Sequence, residues 1–347
     1  MAQINKPNTY FNTVLYTGTG TTQSITGVNF QPNFTWIKRR GSAEGHSLFD
    51  VVRGVQNRLV SNDNGPEATN STFLTSFDSD GFSLGGSDTV NGVDNYASWN
   101  WLASNTTASN TQGSITSTVS ANTTSGFSIV SWSGTGVNAT IGHGLGTPPA
   151  MIIVKERNGS SSWITWHQKL SSYKHFLLLD TTGTQTDSFN NFQNVAPTNN
   201  VFSIGTEVGT NRSTGTYIAY CFAEKKGFSK FGSYIGNGST DGTFIYTGFK
   251  PSFVMTKCTS TSSAYTNWGM FDSKRPGYNQ IDKVLGADLT DSENGSTIGT
   301  QYMDFLSNGF KCRNNGSPHN ISGASYIYMA FAENPLVGTN NIPATAR

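Results

Sequence analysis

Few residues in this chain have the type and spacing that chemistry requires. His46 stands four positions before Asp50, and His167 and His175 precede Asp180, so each group pairs an imidazole with a carboxylate. A nucleophilic triad also needs an activated serine or cysteine, and no such motif accompanies them. The five histidines (His46, His143, His167, His175 and His319) are scattered and lack metal-ligand spacing. Gly18-Thr19-Gly20 resembles a phosphate loop, but that loop needs a preceding strand and a following helix N-terminus, which the sequence does not offer. A structural turn is the expectation. Asp78-Ser79-Asp80-Gly81 opens like a calcium loop. Its counterparts, Asn199-Asn200 and Ser307-Asn308-Gly309, keep the tolerance of positive φ and lose the carboxylates. A hairpin turn is therefore expected, with calcium at Asp78 and Asp80 as the alternative. Neither catalysis nor a cofactor is expected.

Binding surfaces are the remaining option. Arg39 and Arg40 continue a basic run from Lys38 at a strand end, suited to an acidic sugar, a lipopolysaccharide phosphate or a neighbouring subunit. Trp163, Tyr173, Tyr265, Trp268 and Tyr278 fall in variable loops, where aromatic faces stack on sugars or anchor protein contacts. A net charge of +1 gives no global attraction for nucleic acid, and no apolar run is long enough to span a membrane. The polar N-terminus lacks the apolar core of a secretion signal. The widely spaced Cys221, Cys258 and Cys312 read as buried free thiols of a protein made in a reducing cytosol.

The elements that would position these residues recur. Pro32-Asn33-Phe34-Thr35-Trp36-Ile37-Lys38 returns as Pro149-Ala150-Met151-Ile152-Ile153-Val154-Lys155 and as Pro251-Ser252-Phe253-Val254-Met255-Thr256-Lys257. Tyr16, Trp132 and Tyr234, each followed by spaced glycines, precede those lysines by 22, 23 and 23 positions. Phe49, Trp166 and Phe271 follow them, and each copy closes on an aromatic strand: Tyr96–Ala103, Tyr217–Glu224 and Tyr326–Glu333. Landmarks in one order at near-constant spacing define tandem copies of one unit.

Only 12 % of the residues are charged, while Gly, Ser, Thr and Asn abound and 12 % are aromatic. That balance points to short strands, polar turns and aromatic cores. The expected fold is all-β, with three tandem antiparallel β-sandwich modules of lectin-like or jelly-roll type. Module 1 with an N-terminal arm covers residues 1–103, a Ser/Thr/Asn-rich linker 104–126, module 2 residues 127–227, module 3 residues 228–335, and a C-terminal arm 336–347. The linker has the composition of an extended strand or a flexible connection. Both faces of each final strand are apolar, so that strand should lie centrally in its sheet. Asn91-Gly92 reads as a hairpin turn, and Arg53 to Val60 as one short helical turn.

The landmarks resemble those of repeat-containing bacteriophage virion proteins of marine and cyanobacterial phages. The strings that carry the resemblance are Asn29–Arg40, Leu48-Phe49-Asp50 and Leu74–Phe82, then Gly126–Val130 and Gly142–Gly146. Phe331-Ala332-Glu333-Asn334-Pro335 and the terminal Pro343-Ala344-Thr345-Ala346-Arg347 extend it. The resemblance implies a tail-fibre-like structural protein of the virion, assembled in the host cytoplasm and without catalytic residues. Its partners would be other tail or capsid proteins, further copies of itself and a host surface glycan. A capsid decoration or head-fibre protein is the alternative, and a polysaccharide depolymerase a more distant one, since no carboxylate pair is recognisable.

Overall fold

Segments rich in β-branched and aromatic residues form strands, and the glycine- and asparagine-rich stretches between them form turns. The computed structural model describes residues 3–316, 319–338 and 343–345. The first repeat contains β1 (Phe11–Thr17), β2 (Gln23–Thr26), β3 (Phe34–Arg39), β4 (Ser47–Asp50), β5 (Gly54–Leu59), β6 (Ala68–Thr69), β7 (Leu74–Asp78), β8 (Gly81–Leu84), the short helix α1 (Asp88–Asn91) and β9 (Asn95–Trp101). Next come β10 (Ala108–Asn110), β11 (Ser117–Asn122), β12 (Phe127–Ser133), β13 (Ala139–Gly142), β14 (Met151–Glu156), β15 (Ile164–His167), β16 (His175–Leu178), β17 (Thr186–Asp187), α2 (Phe189–Phe192), β18 (Val201–Ile204), α3 (Val208–Asn211) and β19 (Thr216–Phe222). The last repeat holds β20 (Ser229–Ile235), β21 (Phe244–Tyr246), β22 (Phe249–Cys258), β23 (Gly269–Asp272), β24 (Leu285–Gly286), β25 (Met303–Leu306), β26 (Gly309–Cys312) and β27 (Ser325–Pro335).

The fold is all-β and antiparallel. One strand order recurs in the three large sheets: β1-β9-β3-β4, β12-β19-β14-β15 and β20-β27-β22-β23. A smaller sheet accompanies each: β2-β8-β7, β13-β18 and β21-β26-β25. Register makes the equivalence residue-specific. Lys38 sits opposite Ala97, Lys155 opposite Ile218 and Lys257 opposite Ile327, at the same place in each closing strand. As expected, β9, β19 and β27 are flanked on both sides.

Each repeat has an apolar core of its own, centred on Phe82, Ile152 and Phe310 respectively. The other face of each large sheet's central strands is buried as well. All three contribute to one shared core, in which Trp101, Phe222 and Phe331 form a triangle with ring centroids 5.7, 6.2 and 6.0 Å apart. These side chains occupy one register position, opposite Phe34, Met151 and Phe253, so a pseudo-threefold axis runs between them. The double-sided apolarity of the closing strands is the cause: one face fills the private core and the other fills the axis.

Two local expectations need correction, and the linker and the C-terminal arm take definite form. Of the two readings of residues 104–126, the extended strand holds, because β10 and β11 add to the large sheet beside β12. Their hydroxyl-rich side chains satisfy nearby backbone, as when Ser120 Oγ donates to the Ser104 carbonyl at 2.5 Å. Arg53 to Val60 is not helical, since Gly54 (φ +84°) turns the chain and Gly54–Leu59 pairs with β4. Asn91-Gly92 ends helix α1 rather than making a hairpin. The described part of the C-terminal arm turns back, with Ala344 N–H donating to Leu336 O at 2.8 Å.

Candidate functional site

The side chains capable of chemistry lie chiefly between the repeats. Repeat 1 donates hydrogen bonds to repeat 3, repeat 3 to repeat 2, and repeat 2 to repeat 1. The buried Lys38 ammonium reaches Thr290 O at 3.1 Å, Lys257 reaches Thr181 O at 3.2 Å, and Lys155 reaches Asn64 O at 3.1 Å. Burial lowers all three to about 8. One residue before β4, β15 and β23 stand His46, Trp163 and Trp268. Trp163 Nε1 donates to Val60 O at 2.8 Å and Trp268 Nε1 to Leu178 O at 2.9 Å. Trp36 Nε1 donates to His46 Nδ1, which leaves His46 Nε2 to donate to Gly286 O, each at 2.8 Å.

A second ring of contacts is charged at two interfaces and neutral at the third. Arg53 Nε donates to Asp50 Oδ2 at 2.5 Å, and Tyr220 of repeat 2 donates to the same oxygen at 2.8 Å. In repeat 3, Arg275 Nε donates to Asp272 Oδ2 at 2.6 Å and Trp99 of repeat 1 to the same oxygen at 3.1 Å. At the equivalent place repeat 2 has His167 and Leu170, and the facing residue is Met329, which has no donor. His167 Nε2 instead donates to Tyr328 O at 3.2 Å. Around this ring Arg157 forks onto Glu67 and Arg40 onto Glu293 (closest approaches 2.8 and 2.9 Å), whereas Thr259 and Gln185 meet only through backbone. Burial opposes ionisation of Glu67, yet Arg157 and Arg53 together hold its carboxyl below the usual range.

Among the described residues no hydrogen bond joins the imagined His–Asp pairs. His46 and His167 are fully enclosed and used as above, while His175 accepts or donates to Ser172 Oγ at 2.7 Å. Burial pushes His46 well below its ordinary pKa, His143 to about 4, and His167 and His319 to about 3. A depressed histidine pKa stabilises the fold fully above about pH 6.5; below that the unfolded chain takes up protons the native state refuses. Each such histidine is expected to lose about 1.4 kcal/mol per pH unit as pH falls from about 6.5 towards its folded pKa. The urea midpoint should fall steeply across this window, and a flat profile from pH 6.5 to 4 would contradict the assignment. Glu67 and Asp94, both with lowered pKa, add to the loss only once the pH falls below their ordinary values of 4.5 and 3.8.

The other candidate motifs are structural. Asn91, Asn211 and Asn320 bridge the glycine turns: the N–H groups of Gly20, Gly136 and Gly238 donate to their backbone carbonyls at 2.6, 2.8 and 3.0 Å. Their side-chain oxygens accept from Thr19, Thr135 and Asn237 N–H. A Cβ on Gly18 would lie 2.0 Å from Gly92 O, so the close approach requires glycine. Asp80 accepts from Gly27 and Asn29 N–H at 3.0 and 2.6 Å, and Asp78 from Ser76 and Ser83 hydroxyls, which ties the hairpin to its neighbour. Among the described residues no group of three His, Cys, Asp or Glu is placed to hold a metal ion. The three cysteines are free and buried.

The proposed contact residues do not form one patch. Trp163 and Trp268 are buried at repeat interfaces and unavailable to a ligand. Their indole N–H groups, rather than their faces, explain their positions. Arg40 is engaged by Glu293, and Arg39 by Asp94 at 2.8 Å. Tyr265 and Tyr278 are exposed, and no ring contact joins them among the described residues. Tyr173 is exposed and stacks on Trp166 (centroids 6.3 Å apart, planes at 23°) beside a cavity of about 400 Å³ that Asn194 and Ser172 also line. The sequence signal missed was Asp50-Val51-Val52-Arg53, repeated as Asp272-Ser273-Lys274-Arg275 directly after the Phe49 and Phe271 landmarks.

These features define an antiparallel β-sandwich protein whose repeats close around a common axis. A family model for a domain of unknown function, DUF7483, matches residues 6–335, and the chain belongs to that family. No curated protein matches it. Among the described residues no helix is long and apolar enough to cross a membrane.

Proposed function

We propose that this chain is a non-catalytic structural protein of a bacteriophage virion, tail-fibre-like, which presents its outer loops to the host envelope. The observation that carries this reading is the use made of the reactive side chains. Buried lysines, histidines, carboxylates and guanidinium groups are turned inward to lock the repeats, which suits a rigid block. The resemblance of the sequence landmarks to those of phage virion proteins supplies the context. Of the aromatic residues, Tyr173 supports glycan contact best, because it is exposed, backed by Trp166 and set beside a polar cavity. Several weak contacts of that kind would act together in an oligomer.

The test is immunogold labelling of purified particles, with glycan-array binding of the isolated chain and of Tyr173→Ala. Label on the tail and binding reduced at least tenfold by the substitution are expected. Label on the capsid would favour a decoration role. Absence of the chain from particles would overturn the proposal, and release of reducing ends from host polysaccharide would restore the enzyme.

A further inference from the structure

The three large sheets are equivalent except at one edge. In repeat 2 the first strand, β12, is covered by β11, which pairs with it from Thr118–Ser131 to Asn122–Phe127. In repeat 3 the equivalent strand, β20, is outermost in its sheet. The register fixes the correspondence: Phe127 and Ser229 face Phe222 and Phe331, so Val130 matches Gly232 and Ser131 matches Ser233. Gly236 N–H bonds back to Ala324 O, which puts the N–H and C=O of Phe231, Ser233 and Ile235 on the outward side.

That side faces open clefts rather than protein. Two adjoining cavities of about 600 and 300 Å³ run along β20, sharing Lys169 and Ser233 in their walls. Side chains occupy part of the edge as strand substitutes. The Gln168 carboxamide donates to Phe231 O at 2.7 Å, the bond a neighbouring strand would make, and Thr243 Oγ1 donates to Ile235 O at 2.8 Å. Ser233, between them, meets no strand on its outward side among the described residues. Ile235 is 55 % exposed beside it. The equivalent strand of repeat 1, β1, is also outermost, but Asn5 to Asn8 wall the cavity beside it.

We propose that the β20 cleft receives an extended segment of a partner protein by strand addition, independently of whether the chain belongs to a virion. The occupant is defined by what sits at the matching site: β11, Ser117-Thr118-Val119-Ser120-Ala121-Asn122, is uncharged, small and hydroxyl-rich. The partner strand runs antiparallel to β20. It pairs both backbone groups of Ser233 and the N–H of Ile235, and, as Val119 stands opposite Val130, sets an apolar side chain against the Tyr328 ring, which lies over Gly232. Main-chain pairing supplies affinity, and the Tyr328 ring supplies selection for that apolar residue.

The test uses a synthetic peptide of residues 115–124 and amide hydrogen exchange on the whole chain. At millimolar peptide the Ser233 and Ile235 amides should exchange at least tenfold more slowly. The same peptide N-methylated at alternate residues should give no protection, and Ser233→Pro should abolish binding. Exchange unchanged at millimolar peptide would overturn strand addition. So would equal protection by the N-methylated peptide, which keeps the test decisive even if the proline variant fails to fold.

Discussion

Replacing Trp101 by alanine is expected to lower the unfolding free energy by about 3–5 kcal/mol, the range for deleting a large aromatic from a rigid core. The unusual part of the expectation is where the loss appears. Trp101 is 1 % exposed and packs on Phe11 and Phe34 of its own repeat, on Phe127 and Phe222 of the second, and on Phe253 and Phe331 of the third. The cavity would therefore be lined by all three repeats. Urea unfolding followed by tryptophan fluorescence and by far-ultraviolet circular dichroism should shift together in one transition, with unchanged slope. Two transitions, with only one displaced, would mean that the repeats stand on their private cores and the shared core is incidental.

The second large effect concerns charge. Arg53→Met removes the cation beside Asp50, whose carboxylate is fully enclosed and retains Tyr220 as a side-chain donor. Breaking a buried pair by removing one partner costs about 3–5 kcal/mol, because the remaining charge is desolvated without compensation. The chain itself contains the remedy. His167 and Leu170 occupy the same positions in the second repeat with no charge at all. Asp50→His combined with Arg53→Leu should therefore recover at least about 1–2 kcal/mol relative to Arg53→Met, since replacing both members by neutral groups avoids the stranded ion. Equal instability of the single and double variants, measured by urea unfolding, would refute this account of the third interface.

The strand content and the repeat were legible because they depend on local signals. Proline at a strand start, alternating aromatic residues and Asn-Gly or Asp-Gly turns all act within a few residues. The two-faced closing strands even announced their central place. What covered their second face was not legible, since Trp101, Phe222 and Phe331 meet across separations of more than a hundred residues. Composition left two readings open at 104–126, where serine and threonine that suit a linker also suit an edge strand able to satisfy its own backbone. The candidate site fared worst. Loop position was taken to mean exposure for Trp163 and Trp268, yet loops at an interface between repeats are interior. The repeated Asp-x-x-Arg after Phe49 and Phe271 was readable, but its meaning required knowing that Tyr220 and Trp99 arrive from elsewhere.

Had the same ring been assembled from identical subunits, any substitution would appear at every contact at once, and no contact could differ from its siblings. Covalent continuity removes that constraint. Met329 stands where Trp99 and Tyr220 donate, and the histidine opposite it belongs to a different stretch of the same chain, so each joint can carry its own chemistry. The chain thus combines the closure of a trimer with the individuality of a monomer.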